Sequence, residues 1–184
     1  MTKRIITLCG LPGSGKSSTA KGVAEKLAYK HFSSGDLFRA MAAERGITVE
    51  EINERAELEK EIDFAVDERL RQMANEDDLV IDSRMAFHWM PESFKVFLKI
   101  DPHVAAERIF AHMQKNGRIS QNGSSVEEVY NDTIRRTASE IKRYTALYSV
   151  DYTDESNFDL VVDTAKHSLD EVVQMIIEEY KKKF

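Results

Sequence analysis

Residues 5–17 read Ile5-Ile6-Thr7-Leu8-Cys9-Gly10-Leu11-Pro12-Gly13-Ser14-Gly15-Lys16-Ser17. The first five form an apolar run of the length of a buried strand. The next eight match G-x-x-x-x-G-K-[ST]. A helical pattern then runs from Gly15 to Ala28, with Ala20, Val23, Ala24 and Leu27 on one side. In a strand–turn–helix setting this spacing makes a phosphate cradle. Glycines let the backbone turn tightly and aim its N–H groups inward. The helix start turns its positive dipole end on the anion. Lys16 can reach the outer phosphates, and the Ser17 hydroxyl can ligate Mg²⁺. The cradle alone does not separate a kinase from a GTPase or a transporter ATPase.

Working outward, short apolar runs alternate with amphipathic stretches. Strands are expected at 4–9, 30–33, 79–82, 94–100 and 158–162. Helices are expected at 34–45, from Thr48 toward Lys60, through Ile62 to Met73, and from Asp101-Pro102 to Lys115. Thr48 and Glu51 have the spacing of a capping box. Residues 116–125 are rich in Gly, Asn and Ser and read as a mobile loop, with a second box at Ser124 and Glu127. A helix carrying Val129, Tyr130, Ile134, Ile141 and Tyr144 follows. Ser168 caps the last helix, whose expected buried stripe is Leu169, Val172, Val173, Ile176 and Ile177. Near-continuous apolar strands alternating with helices predict a parallel sheet covered on both faces.

The bulk numbers bound the function. At 184 residues the chain fits one domain, 1–184, with a sizeable core. A net charge of −6 argues against a main task of gripping nucleic acid through its phosphates. No stretch approaches the ~20 apolar residues of a membrane span, and no leader-like apolar region precedes the first strand. The single cysteine, Cys9, reads as a core residue and suits a reducing cytoplasm. The five histidines show no metal-ligand spacing.

Asp82 ends the third strand, on the side where parallel sheets bind ligands, and is placed to hold Mg²⁺ opposite Ser17. Arginines gather near the same edge. Arg39 lies one turn into the helix after the second strand, and Arg84 lies two residues past Asp82. Arg108, Arg135, Arg136 and Arg143 lie on the helices that follow. Guanidinium forks suit phosphate oxygens.

With these residues in view, the chain resembles the nucleoside monophosphate kinase family over most of its length. Ser33-Ser34-Gly35-Asp36-Leu37-Phe38-Arg39 is similar to the acceptor motif S-x-G-D-x-x-R of that family. Within it, Phe32 to Arg39, Glu61-Ile62-Asp63 with Asp67-Glu68-Arg69, Arg84 to Trp89 and Ala138 to Tyr144 look most like short, archaeal-type cytidylate kinases. The chain departs from that pattern in carrying Lys16, where those kinases often carry Thr, and in lacking a glycine before Trp89.

The resemblance implies a P-loop NTPase-type α/β fold: three layers, a five-stranded parallel sheet, a helical acceptor-binding region at about 34–70 and a short lid region at about 112–143. It implies ATP-dependent phosphorylation of a nucleoside monophosphate, (d)CMP to (d)CDP, with Mg²⁺. Gly10, Leu11, Pro12, Gly13, Ser14, Gly15, Lys16, Ser17 and Ser18 would bind ATP, with Arg108 beside it and the 163–166 turn near the adenine. Ser34, Asp36, Arg39, Asp63, Arg84 and Trp89 would bind the acceptor. Lys16, Arg84, Arg136 and Arg143 would serve the transferring phosphoryl group, and Ser17 and Asp82 the metal. A cytoplasmic monomer is expected, without nucleic-acid or membrane partners. The competing readings are a kinase for AMP, UMP or shikimate on the same fold, and a nucleotide-dependent regulatory module.

Overall fold

The computed structural model describes residues 4–115 and 125–183. Five strands form one parallel sheet: β1 (Ile5–Gly10), β2 (Lys30–Ser33), β3 (Leu79–Asp82), β4 (Phe94–Lys99) and β5 (Leu160–Asp163). Their order across the sheet is β2-β3-β1-β4-β5, and every pairing is parallel. β1 is central and wholly buried, as its unbroken apolar run requires.

Successive side chains of a strand face opposite ways, so β1 feeds two cores. Ile6 and Leu8 join Val80, Val96 and Leu98 beneath α1 (Lys16–Leu27) and α8 (Leu169–Lys183). Ile5 and Cys9 face the other way. There Ile5 packs with Val66, Leu70 and Met73 of α4 (Lys60–Met73). Cys9 packs with Phe97, Tyr152 and Tyr144, the last on the long α7 (Val126–Tyr148). A satellite core joins α2 (Ser34–Glu44), α3 (Val49–Arg55) and α4 through Ala42, Ile52, Ala56 and Ile62. The remaining helices are α5 (Ala86–Trp89) and α6 (Pro102–Lys115). Helices thus cover both faces of the sheet.

The turn after β1 depends on two glycines. Gly10 has φ +148°, and a Cβ there would stand 2.4 Å from the Leu98 carbonyl oxygen. Gly13 has φ +76°, and its Cβ would meet the Ala105 backbone of α6 at 2.8 Å. No side chain fits either place, so the loop can lie flush between β4 and α6.

The expected strands and long helices are present. The Thr48 box forms as read: the Thr48 hydroxyl accepts from the Glu51 N–H at 3.1 Å, and Glu51 accepts from the Thr48 N–H at 2.7 Å. Three expectations need correction. The fifth strand begins at Leu160, not 158, because Asp154 caps a 3-10 turn at Glu155–Asn157 and Phe158 leaves that turn to pack on Phe87 and Phe97. Leu169 is 49 % exposed and does not belong to the buried stripe. It falls inside the box in which Ser168 and Glu171 exchange hydrogen bonds, before α8 settles on the sheet. The start of α7 is capped by Ser125, whose hydroxyl accepts from the Glu128 N–H. Ser124, expected as the cap, and most of the expected loop lie outside the described residues.

Candidate active site

The site opens where β1, β2 and β3 end. At the end of β1 the glycine turn bends back, and the Lys16 ammonium donates to the Leu11 carbonyl at 3.1 Å. Burial, reinforced by the charge of Arg84, pulls the Lys16 ammonium down to about 8. A cation held in this way gains most from an incoming phosphate, which supplies the missing counter-charge.

Asp82 ends β3, buried. The Ser17 hydroxyl donates to its carboxylate, and the Ser33 hydroxyl lies 3.3 Å from the same oxygen. Ser17 and Asp82 therefore stand side by side at the foot of the turn, as the sequence suggested. Two hard oxygens from the protein suit Mg²⁺, which keeps most of its waters and takes phosphate oxygens for the rest. Among the described residues there is no group of three or more His, Cys, Asp or Glu that would hold a metal by themselves. The donor set fits an ion that arrives with nucleotide.

The arginines meet across the same opening. A cavity of about 90 Å³ is lined by Ser34, Gly35, Arg39, Arg84 and Arg136, with Asp63 on a further wall. Arg39, more than half exposed, pairs with Asp36 one turn away. Its guanidinium lies over Gly35, where a Cβ would already be 3.4 Å from Nη1. Ser34 reaches the Asp82 carbonyl oxygen at 3.4 Å. Of the acceptor residues expected near the ends of β2 and β3, Ser34, Arg39 and Arg84 line this cavity, and Asp36 is tied to it through Arg39.

Glu140 on α7 is a site residue that sequence reasoning passed over. It is 3 % exposed and holds Arg84 at 2.5 Å, Arg136 at 2.9 Å and the Tyr152 hydroxyl at 3.1 Å. Burial alone would raise its carboxyl. Arg84, then Arg136, outweigh that and hold it below the ordinary glutamate value. The available signal was spacing: Glu140 stands one turn after Arg136 on the same helix face. Its partners Arg84 and Tyr152 are distant in sequence, and no pattern marks them.

Two expected site residues hold carboxylates of α4, and one of them, Arg143, also lines the larger cavity that reaches the glycine turn. Arg143, read as reaching the transferring phosphate, is buried and committed to Asp63 at 2.8 Å, with a further contact to the Asn53 carbonyl at 3.4 Å. Burial pushes the Asp63 carboxyl up to about 6 against the pull of Arg143. Trp89, read as contacting the acceptor, does not line the cavity. Its N–H donates to Asp67 at 2.8 Å, and the Arg71 guanidinium lies 3.9 Å from its ring centroid. Arg135 is exposed and paired with Asp132.

On the other side, Arg108 donates to the Thr164 carbonyl at 2.8 Å and to its hydroxyl at 3.3 Å. The arginine expected beside the donor nucleotide and the 163–166 turn therefore adjoin. A second cavity of about 360 Å³ runs from Pro12 of the glycine turn past Ile109 and Met113 to Asn53, Arg136 and Glu140. Those last three residues also line the first cavity. The phosphate cradle and the arginine pocket are joined along α7.

A strand, glycine turn and helix bearing Lys16 and Ser17, with Asp82 on the neighbouring strand, define the P-loop class of nucleotide-binding fold. A family model described as "AAA domain" matches residues 9–127. Among solved structures, shikimate kinase from Bacteroides thetaiotaomicron superposes with TM-score 0.64 at 17 % identity, covering 95 % of this chain and 97 % of the other. That likeness shows the fold alone. Sequence relatives are nearer. The cytidylate kinase of Natronomonas pharaonis is 41 % identical over 91 % of this chain and 84 % of its own length. That of Methanocella arvoryzae is 37 % identical over 97 % and 99 %. The chain belongs to the cytidylate kinase family.

Proposed function

We propose that this protein transfers the terminal phosphoryl group of ATP to CMP or dCMP, giving ADP and the diphosphate. The observation that carries the reading is the pairing of two anion sites. The glycine turn with Lys16 receives the donor. A guanidinium cluster of Arg39, Arg84 and Arg136 receives the recipient's phosphate, and the cavities share a wall. A nucleotide switch needs only the first site.

The chemistry asks for alignment and charge neutralisation. The attacking atom is a phosphate oxygen of the acceptor, largely ionised at neutral pH because a phosphomonoester's second pKa is about 6. No side chain has to remove a proton. Gly10 to Ser18 wrap the donor phosphates, and Lys16 sits against their outer oxygens. Ser17 and Asp82 would hold Mg²⁺, which would supply neutralisation of phosphate charge. Arg39 and Arg84 orient the acceptor phosphate, and Arg136, between the two cavities, faces the group in transit. Arg108 and Thr164 border the donor nucleoside. Segment 112–143 serves as the lid region and 34–70 as the acceptor region. Closure keeps water from the terminal phosphate.

We place the enzyme in the cytoplasm as a monomer acting on small nucleotides. Among the described residues no helix is long and apolar enough to cross a membrane.

ADP release, coupled to a dehydrogenase and measured with CMP, dCMP, UMP, AMP and shikimate, tests the reading. CMP and dCMP are expected to give the highest kcat/KM. Equal or better turnover of shikimate or AMP overturns the acceptor assignment.

A further inference from the structure

We propose that Asp67 reads the 4-position of the acceptor base, accepting a hydrogen bond from the amino group of an aminopyrimidine and repelling a carbonyl there. This inference rests on the function proposed above and names the specificity element of its acceptor pocket.

Asp67 lines the acceptor cavity although it is 3 % exposed. Its two carboxylate oxygens face two different donors. The Trp89 indole N–H donates to one at 2.8 Å, and the Tyr148 hydroxyl donates to the other. Indole N–H can only donate, so the oxygen it meets is held as an acceptor. Each carboxylate oxygen keeps a second lone pair. What Asp67 offers to the cavity is an acceptor fixed in orientation. Asp63, one turn earlier on α4, lines the same cavity, but Arg143 sits on it at 2.8 Å and offsets its charge. The partners of Asp67 are neutral donors.

The supports of Asp67 are fixed in turn. Arg71 covers Trp89 at 3.9 Å, and Tyr148 meets the indole edge-on with centroids 5.5 Å apart. Trp89 and Tyr148 are positioning residues for the carboxylate. Tyr148 lies eight residues beyond Glu140 on α7, about 12 Å farther along the helix. The guanidinium cluster and Asp67 line one cavity, held from α7 by residues about two turns apart. A monophosphate held by Arg39 and Arg84 directs its base toward Asp67.

Cytosine carries an amino donor at position 4, whereas uracil carries a carbonyl acceptor there. Against a buried carboxylate the amino group forms a charge-assisted hydrogen bond. The carbonyl sets acceptor against acceptor and leaves buried lone pairs unmatched. Sites built to bond a particular N–H discriminate strongly against analogues lacking it.

The test is the ratio of kcat/KM for CMP to that for UMP at saturating ATP, in the wild type and in Asp67→Asn. The amide can keep both flanking hydrogen bonds, with its oxygen toward Trp89 and its NH₂ toward the Tyr148 hydroxyl. The ratio is expected to fall at least about tenfold, while ATP binding by calorimetry stays as in the wild type. Trp89→Phe and Tyr148→Phe are expected to move the ratio in the same direction by less. A CMP-preferring wild type whose ratio is unchanged in Asp67→Asn, with both substrates losing equally, makes Asp67 a structural residue and overturns this inference alone. A wild type that phosphorylates no nucleoside monophosphate overturns the proposed function instead. If Asp67→Asn does not fold, the two Phe variants decide: unchanged ratios in both refute the role of Asp67.

Discussion

Lys16 and Glu140 show how differently residues of one site announce themselves. Lys16 falls at a fixed place in an eight-residue pattern, and its role follows from local backbone geometry. Lys16→Ala is expected to lower kcat by about 1000-fold with an unchanged circular dichroism spectrum, because the side chain supports only the loop carbonyl of Leu11. Arg39 belongs to the same readable group. Arg39→Ala is expected to raise the KM for the acceptor about tenfold or more and to leave the Kd for ATP unaltered. A matching loss in ATP affinity would contradict its assignment. Glu140 was only partly legible: its spacing from Arg136 is local, but its importance comes from partners up to 56 positions away, Arg84 among them. Removing one member of a buried ion cluster strands the others, at about 3–5 kcal/mol. Glu140→Ala should lose stability on that scale in urea unfolding, and Glu140→Gln, which still accepts from Tyr152, should lose less. Asp63 offers a pH test. Its folded carboxyl lies near 6, above the ordinary 3.8, because burial outweighs Arg143. Its contribution is therefore complete below about pH 4 and is lost as pH rises through about 6. The unfolding free energy of the wild type minus that of Asp63→Asn should decline between pH 4 and 7. A flat difference would mean that Asp63 titrates normally.

At the scale of elements, the strands were readable because each is a short buried run, and the helices because caps and apolar spacing agree. Thr48 is the simplest case: its box with Glu51 is present as spelled out in the sequence. Thr48→Ala is expected to cost about 1 kcal/mol, seen as an equivalent drop in urea-unfolding stability. What escaped reading were short elements set by tertiary contact. The four-residue α5 exists because Phe87 and Trp89 have distant partners, Phe158 and Tyr148. Nothing in Met85-Ala86-Phe87-His88-Trp89 names those partners. The same limit explains Trp89, expected to bind the acceptor, while packing gave its face to Arg71 and its N–H to Asp67.

Over the whole molecule, the sheet order brings β2 and β3 beside β1, so the acceptor elements arrive next to the phosphate turn. The alternation of strands and helices disclosed the parallel sheet but not how α7 would lie along the site. That helix carries Arg136 and Glu140, which line both cavities, Arg143, which lines the larger, and Tyr148, which holds Asp67. Binding at both sites should therefore stabilise the chain as one unit. With an unreactive ATP analogue and CMP each at about 100 times its Kd, each ligand should add about 2.7 kcal/mol to the unfolding free energy. Differential scanning calorimetry should show a single transition moving upward with each addition.

The thiol of Cys9 is sealed between β1 and the carbonyls of Arg84 and Tyr152. Burial pushes it up to about 12, so at neutral pH almost none is thiolate, the form that alkylating reagents attack. Since the sequence has no other cysteine, the natural chain offers a silent background for site-directed labelling. Dyes attached through cysteines introduced on the outer surfaces of α2 and α6 would report the separation of those helices during turnover, without first engineering the native thiol away.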